Sequence, residues 1–158
     1  MGDRPAIREG EIALPHDPAA RTDAGLVFIG RIRSPWARGN CPKNISKARA
    51  EKPDTWIELK PEFAPALAGL TVGQPVILLY WMDNARRDLV VQAPAHVDAP
   101  RGTFALRSPN RPNPIAAATV RITALDGARI GIDAIDCFDG TPLVDIKPWL
   151  ETIDIPPA

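Results

Sequence analysis

Proline constrains the fold of this chain more than any other residue, because 18 of the 158 residues are proline. A proline fixes φ and has no backbone N–H, so it is excluded from helix interiors and from central strands. The prolines occur along most of the chain and leave room only for short regular elements. We therefore predict that much of the chain is rigid, ordered loop.

Short apolar stretches between the prolines have the pattern of β-strands. The run at 75–82 is continuously apolar and rich in β-branched and aromatic residues, which predicts a strand covered on both faces at the centre of the core. A short helix is expected at 61–69, which begins with proline, is rich in alanine and leucine, and ends at glycine. The other predicted strands are 26–33, 55–59, 89–91 and 103–106.

The clearest pairing signal is a hairpin late in the chain. Apolar residues alternate over 120–124 and again over 130–134, and Asp126-Gly127 supplies a two-residue turn between them. Many short strands, frequent turns and at most one or two short helices predict an all-β fold, a small antiparallel β-barrel. The chain has no βαβ rhythm, no dinucleotide-type glycine motif and no P-loop, so a cofactor site must be built from loops at strand ends.

Length and composition limit the class of protein. The length suits one compact domain, and a change of pattern predicts an N-terminal tail over 1–24 and a β-barrel domain over 25–158. The chain has no run of about 20 apolar residues and no N-terminal signal segment, so we expect a cytoplasmic protein with no membrane partner. Nineteen basic residues balance nineteen acidic ones, so any contact with RNA must be local.

Metal binding has little support in the sequence. Cys41 and Cys137 lack metal-ligand spacing and are expected to be free thiols. His16 lies in the predicted tail and His96 in a proline-rich loop, so the histidines do not form a cluster. We expect no metal site.

The densest candidate for a functional site is the stretch 102–115. Its prolines and asparagines make a stiff loop, and stiffness preorganises a site. Arg107 and Arg111 project from this loop and are suited to a forked contact with a carboxylate or a phosphate. The alternative, in which these arginines pair with carboxylates of the domain itself, stays open.

A second candidate is the stretch 136–149. It carries the carboxylates of Asp136, Asp139 and Asp145 and a tight turn at Asp139-Gly140. A carboxylate can accept hydrogen bonds from ribose hydroxyls, and an exposed turn backbone can bind an adenine edge. A turn that only closes a corner of the fold is the alternative.

A third candidate is the pair Arg31 and Arg33, which share one face of the first long strand. This pair is either a basic stripe or an ordinary solvated face.

Together these segments resemble the TrmO or TsaA-like family. The similar motifs, in chain order, are G-x-I-x-S-P, C-P-x-N, L-Y-W, G-x-F-A-x-R-S-P-N-R-P-N-P-I and D-G-T-P-x-x-D-I-K-P. They extend over about 120 residues, and the Arg-Ser-Pro-Asn-Arg-Pro-Asn-Pro string is too long to be a chance turn. The resemblance implies a small β-barrel, a homodimer, S-adenosylmethionine as cofactor, and N6-methylation of threonylcarbamoyladenosine 3′ to the anticodon of tRNA.

The resemblance also implies site residues. The cofactor-binding positions would be Pro42, Asn44, Ile45, Ser46, Asp83, Asn84, Arg107, Ala117, Ile135, Asp136 and Asp139. Lys43 and Arg111 are expected to contact RNA phosphate. Methyl transfer needs alignment and exclusion of water, and a carboxylate is the natural acceptor for the N6 proton, for which Asp83 and Asp139 are candidates.

Two other functions stay open. A binding protein that senses S-adenosylmethionine without turnover is favoured by the zero net charge, and by Met82-Asp83-Asn84 at a position where bacterial relatives have a histidine. The other is a methyltransferase that acts on a small molecule.

Overall fold

The computed structural model describes residues 6–158, which divide into two compact units. The larger unit contains Val27–Trp81 and Ala117–Ala158, and the smaller unit contains residues 6–26 and Met82–Ala116. The sequence-based division between residues 24 and 25 stays a prediction.

Short strands account for most of the regular structure. They are β1 (Ile12–Ala13), β2 (Gly30–Arg33), β3 (Thr55–Leu59), β4 (Pro75–Trp81), β5 (Leu89–Gln92), β6 (Arg101–Gly102), β7 (Ile115–Asp126), β8 (Arg129–Ile132) and β9 (Thr141–Pro148). The helices are α1 (Ile45–Ala50), α2 (Glu151–Asp154) and three 3-10 helices at Pro18–Ala20, Pro61–Leu67 and Thr103–Ala105. Within residues 6–158, no helix has the length and apolar character needed to cross a membrane.

Six strands form a closed barrel, and all of them lie in the larger unit apart from the first two residues of β7. The hydrogen-bonded order is β2-β3-β8-β7-β4-β9, and β9 pairs with β2 to close the ring. The pairings of β3 with β2 and β8, and of β9 with β2 and β4, are antiparallel. The predicted fold class, an all-β protein with a small antiparallel barrel, is confirmed.

Alternation along the barrel strands separates the core from the outer face. In β3, Ile57 is fully buried, whereas Trp56 is half-buried and Glu58 is exposed on the outer face. Every second residue of β4 is buried and the residues between them are half-buried, so both faces of this strand are at least partly covered. The core includes the fully buried Ile32, Ile57, Leu78, Ile122, Ile130, Ile135 and Leu143.

Strands β2 and β3 approach each other closely at Gly30. A Cβ atom at this position would overlap the carbonyl oxygen of Glu58 and would lie 2.9 Å from the Cα atom of Leu59. Both neighbours are backbone atoms, which cannot turn aside as the tip of a side chain can. The glycine therefore allows β2 to pair with β3 on one side and with β9 on the other.

The predicted hairpin is present as β7 and β8, with its turn one residue later than expected. Asp126 pairs with Arg129, so the two turn residues are Gly127 and Ala128. Gly127 has a φ of 59°, in the left-handed region that two-residue hairpin turns require and that glycine adopts without strain.

The smaller unit contains a three-stranded sheet in the order β1-β5-β6. The prediction of a strand at 103–106 is wrong, because Thr103–Ala105 forms a 3-10 helix. The hydroxyl of Thr103 donates to the carbonyl of Leu89 at 2.9 Å, and Phe104 is 85% exposed, so the apolar residues here do not share one buried strand face. The bond joins Thr103 to a residue 14 positions earlier in the chain, so the sequence around 103–106 does not reveal it.

Candidate functional site

The segment 135–139, which lies between β8 and β9, is held through its carbonyl oxygens. Four consecutive carbonyl groups, from Ile135 to Phe138, each accept a hydrogen bond from a side chain outside the segment. The bonds are Trp36 Nε1 to Ile135 O (2.7 Å), Cys41 Sγ to Asp136 O (3.3 Å), Ser34 Oγ to Cys137 O (2.7 Å) and Thr141 Oγ1 to Phe138 O (2.7 Å). Side chains thus fix the 135–139 segment without a partner strand.

The N–H groups of the 135–139 segment are used differently. Asp139 N donates to the carbonyl of Trp36 at 2.9 Å. Within residues 6–158, the N–H groups of Asp136, Cys137 and Phe138 donate no hydrogen bond. A main-chain donor without a protein partner is satisfied by water or by a ligand, so this segment can bind acceptor atoms such as the ring nitrogens of a purine.

The two carboxylates of the 135–139 segment have different surroundings. Asp136 is half-buried, and its Oδ1 accepts a hydrogen bond from the hydroxyl of Tyr80 at 3.3 Å. Asp139 is exposed, accepts from Ser34 N at 3.2 Å and lies 3.5 Å from the guanidinium of Arg33. Asp139 therefore stabilises the corner between β2 and the segment, and its catalytic role stays a prediction.

The 41–46 loop leads into α1 and contacts the 135–139 segment. Asn44 is the N-cap of α1, and its side-chain oxygen accepts from Lys47 N at 2.9 Å, which satisfies an unpaired donor of the first helical turn. Cys41 and Ile45 pack against a buried cluster of Trp36, Ala48 and Ala134. Of the predicted site residues in this loop, Pro42 is half-buried, and Lys43 and Ser46 are exposed.

The remaining candidates lie outside these two segments. Ala117 is a half-buried residue of β7. Asp83 and Asn84, in the smaller unit, are both exposed, and Asn84 Nδ2 donates to Asp83 Oδ1 at 3.4 Å. Within the described part of the chain, no group of histidine, cysteine or acidic side chains could hold a metal ion.

The 107–114 loop begins at Arg107, which is exposed, and closes on itself through Arg111. Arg111 Nη1 donates to the carbonyls of Leu106 and Ser108, both at 3.1 Å. Arg111 is half-buried and acts as an internal brace of the loop, so its predicted contact with RNA phosphate would use its remaining donors. That contact stays a prediction.

Residues 86–92 anchor the 107–114 loop, and sequence reasoning did not find them. The buried Gln92 Nε2 donates to Asn110 O at 2.6 Å, and Arg86 N donates to Asn110 Oδ1 at 3.0 Å. Arg87 Nε donates to Pro112 O at 2.6 Å. The available signal was a glutamine in an apolar strand, preceded by an Arg-Arg-Asp run, but no spacing rule connects that run to a loop about 20 residues later.

Both cysteines are free thiols; Cys137 belongs to the 135–139 segment, and Cys41 donates to its Asp136 carbonyl. Burial raises the pKa of Cys137 from its ordinary value of 9.0 to about 12, and the negative charge of Asp136 adds to the shift. Burial likewise raises the pKa of Cys41 to about 11. Neither thiol is therefore an activated nucleophile at neutral pH.

We expect the stability of the protein to fall steeply above pH 9. The folded state keeps the proton of Cys137 up to a pKa of about 12, whereas the unfolded chain releases it near 9, so stabilisation that is complete below pH 9 is lost as pH rises. The expected slope is roughly 1 kcal/mol per pH unit from this thiol.

Urea unfolding at pH 8, 9.5 and 10.5 measures this slope in the wild type and in Cys137→Ala. The alanine variant should show a shallower loss, because the other titrating groups are the same in both proteins. Equal slopes would show that Cys137 does not cause the effect.

Comparisons with known proteins place this small barrel in a family. The chain matches the family described as the tRNA-methyltransferase O N-terminal domain over residues 31–155. The match covers most of the chain, and the protein belongs to this family.

Individual relatives agree with this assignment. The chain is 38% identical to the "Probable S-adenosyl-L-methionine-binding protein VirR" of Rhizobium radiobacter, over 89% of this chain and 77% of the relative. It is 43% identical to a "Probable S-adenosyl-L-methionine-binding protein" of Archaeoglobus fulgidus, over 80% of this chain but only 34% of the relative. The crystal structure of TrmO from Pseudomonas aeruginosa superposes with a TM-score of 0.65 at 31% identity, over 84% of this chain and 58% of that chain. The chain thus spans little more than half of that solved protein and about a third of the Archaeoglobus relative.

Proposed function

We propose that this chain binds S-adenosylmethionine through the 135–139 segment and the 41–46 loop, and that it transfers the methyl group to an adenine-type nitrogen of tRNA. Membership of the tRNA-methyltransferase O family supports both parts of the proposal, and the names of the relatives support the binding of S-adenosylmethionine. The observation that carries it is the 135–139 segment, where side chains occupy the carbonyl groups while three consecutive N–H groups have no partner among residues 6–158.

The residues of the larger unit fit the cofactor in their chemistry. Main-chain N–H groups suit the acceptor atoms of an adenine ring, and the carboxylate of Asp136 suits ribose hydroxyls. Tyr80 holds that carboxylate through its hydroxyl, which reduces the reorganisation needed on binding. Pro42 and Ile45, both half-buried, supply apolar surface from the 41–46 loop.

Bound S-adenosylmethionine would supply an electrophilic methyl group attached to a sulfonium. The contribution of the protein is to align the acceptor nitrogen and to exclude water, because charge is neutralised as the methyl group moves. Removal of the N6 proton needs an acceptor. Asp139 is already engaged by Ser34 and Arg33, and Asp83 of the smaller unit accepts a long bond from Asn84. Both stay candidates for this role.

The finer proposal is N6-methylation of threonylcarbamoyladenosine 3′ to the anticodon, by a homodimer, as the family resemblance implies. By the same resemblance, Arg107 and Asn84 stay candidates for cofactor contacts, and Lys43 and Arg111 stay candidates for contacts with RNA phosphate. Static light scattering measures the oligomeric state, and a monomer at micromolar concentration would exclude the homodimer.

A sensor that binds S-adenosylmethionine without turnover is the second candidate. The observation that favours it is the zero net charge of the chain, since the molecule as a whole has no field that would attract tRNA.

Cofactor turnover measured with and without bulk tRNA tests the proposal. We expect demethylated cofactor to form only when tRNA is present. Asp136→Asn should weaken S-adenosylmethionine binding by about tenfold, the cost of one charge-assisted hydrogen bond. Asp126→Asn, at the exposed end of the β7–β8 hairpin, is the matched control and should bind as the wild type does. Cofactor binding without any turnover would identify the sensor, and turnover that needs a small metabolite instead of tRNA would identify the third function.

A further inference from the structure

A pocket lies on the outside of the barrel, apart from the 135–139 segment and the 41–46 loop. Its volume is about 490 Å³, which is large enough for a planar base. Its walls come from the end of α1, the turn that follows it, and residues of β3, β7 and β8. The lining residues are Arg49, Lys52, Pro53, Asp54, Thr55, Trp56, Thr123, Ile132 and Asp133.

Trp56 is the aromatic surface of this pocket, and its ring is fixed in place. The indole Nε1 donates to Asp54 Oδ1 at 2.7 Å, and the guanidinium carbon of Arg129 lies 4.6 Å from the ring centroid. Gly131 is the partner of Trp56 in β8, and the position of its missing Cβ lies 2.6 Å from the hydroxyl of Thr123. The absence of a side chain at Gly131 therefore brings Thr123 next to Trp56 and shapes the pocket wall.

Charged groups of both signs lie around the ring. Arg33 and Arg129 approach the carboxylate of Glu58 at 3.5 and 3.9 Å, and Arg33 also lies 3.5 Å from Asp139. Lys52 is exposed at the rim, and within residues 6–158 its ammonium group forms no hydrogen bond or ion pair. Lys52 is therefore the cation at this pocket that is available to an anionic ligand.

Lys52 directly follows Glu51, the C-cap of α1, and its φ of 47° is the left-handed conformation with which many helices end. Its N–H donates to the carbonyl of Arg49 at 3.1 Å. The end of α1 therefore places Lys52 at the rim of the pocket.

We infer that the pocket binds an unpaired base of single-stranded RNA, which stacks on Trp56 while Lys52 and Arg129 contact the flanking phosphates. A fixed aromatic ring beside cations is the usual arrangement for binding single-stranded nucleic acid on a β-sheet surface. The identity of the nucleic acid as RNA rests on the proposed function. The pocket is distinct from the proposed cofactor site, because none of its lining residues belongs to that site.

Fluorescence anisotropy with a labelled, unstructured 12-nucleotide RNA tests the inference. Trp56→Ala should weaken RNA binding by about tenfold, since stacking accounts for a large share of affinity per base, and Trp56→Phe should retain most of it. Lys52→Glu, an exposed substitution that leaves the core untouched, should also weaken binding. Trp149→Ala changes a half-buried tryptophan outside the pocket and is the control.

Calorimetric titration with S-adenosylmethionine shows whether the variants keep their fold, because only a folded variant binds the cofactor. Trp56→Ala and Lys52→Glu should bind S-adenosylmethionine with the affinity of the wild type. RNA affinity equal to wild type in both variants, or no RNA binding by the wild type, would overturn the inference. If the wild type methylates tRNA and Trp56→Ala does so with an unchanged KM for tRNA, the pocket is excluded as an RNA-binding site and the proposed function stands. If RNA binding depends on Trp56 but no tRNA is methylated, the pocket stands and the proposed function fails.

Discussion

Arg107→Ala is expected to lower cofactor affinity or tRNA methylation by about 10- to 100-fold, which corresponds to about 1.5–3 kcal/mol for a charge-assisted hydrogen bond. Arg107 is the first residue of the 107–114 loop, and both of its flanks are fixed in the smaller unit. On the N-terminal side of Arg107, the hydroxyl of Thr103 donates to the carbonyl of Leu89. On its C-terminal side, the carbonyl of Asn110 accepts from Gln92 Nε2. A guanidinium on so rigid a backbone loses little entropy when it binds an anion.

Arg107 also interacts with other residues of the protein, so a purely structural role must be distinguished. In that case the variant loses less than about 1 kcal/mol of stability, and affinity and turnover stay at wild-type values. Arg107→Lys should recover only part of the function, because the planar fork is lost. Arg101→Ala, an exposed arginine of β6 in the same unit, is the matched control. Calorimetric titration of S-adenosylmethionine and tRNA methylation by each variant decide between the two roles.

Trp36→Ala is expected to have the largest effect on stability, a loss of about 3–5 kcal/mol in the free energy of unfolding. Trp36 is buried in a cluster with Ala48 and Ala134, and its indole N–H donates to the carbonyl of Ile135. Removing the side chain leaves a cavity and also leaves a buried carbonyl without its donor.

Trp36→Phe separates these two effects. It keeps most of the ring but removes the donor to Ile135, so we expect a loss of about 1–3 kcal/mol in stability. Because the 135–139 segment loses one of its four side-chain anchors, S-adenosylmethionine binding should weaken as well. Trp149→Phe is the control, since it makes the same substitution at a half-buried tryptophan outside the cluster. Urea unfolding and calorimetry measure both quantities, and a Trp36→Phe variant with wild-type stability would contradict the role of this hydrogen bond.

The strand prediction was correct where buried and exposed residues alternate. It was wrong at 103–106, where a side chain bonds to the backbone of another segment. The bounds of β3 agree with the predicted 55–59, because alternating burial against the barrel core is visible as a sequence period. The stretch 103–106 has strand-forming residues, yet the hydroxyl of Thr103 and the exposure of Phe104 produce a 3-10 helix. Local propensity does not include such side-chain bonds.

The candidate site was likewise predictable only in part. Residue types in the sequence pointed to the stretches 102–115 and 136–149, and the family resemblance added the 41–46 loop and Ile135; the roles of these residues stay predictions. The contacts that hold them were not accessible, because Trp36 and Arg87 act on residues more than 20 positions away. For Gln92, the contact crosses 18 positions to Asn110.

The sequence by itself determined the fold class and the family, because proline distribution, alternation and an unusual proline-asparagine loop are local properties of the chain. Only the tertiary structure decided which polar groups of that chain are already occupied. It engages Asp139 with Ser34 and Arg33 and turns Arg111 inward as a brace. Among the residues that the structure describes, it leaves the N–H groups of Asp136–Phe138 without partners. The physical reason is that a hydrogen bond between distant segments depends on how the barrel brings them together, and no local pattern encodes that distance.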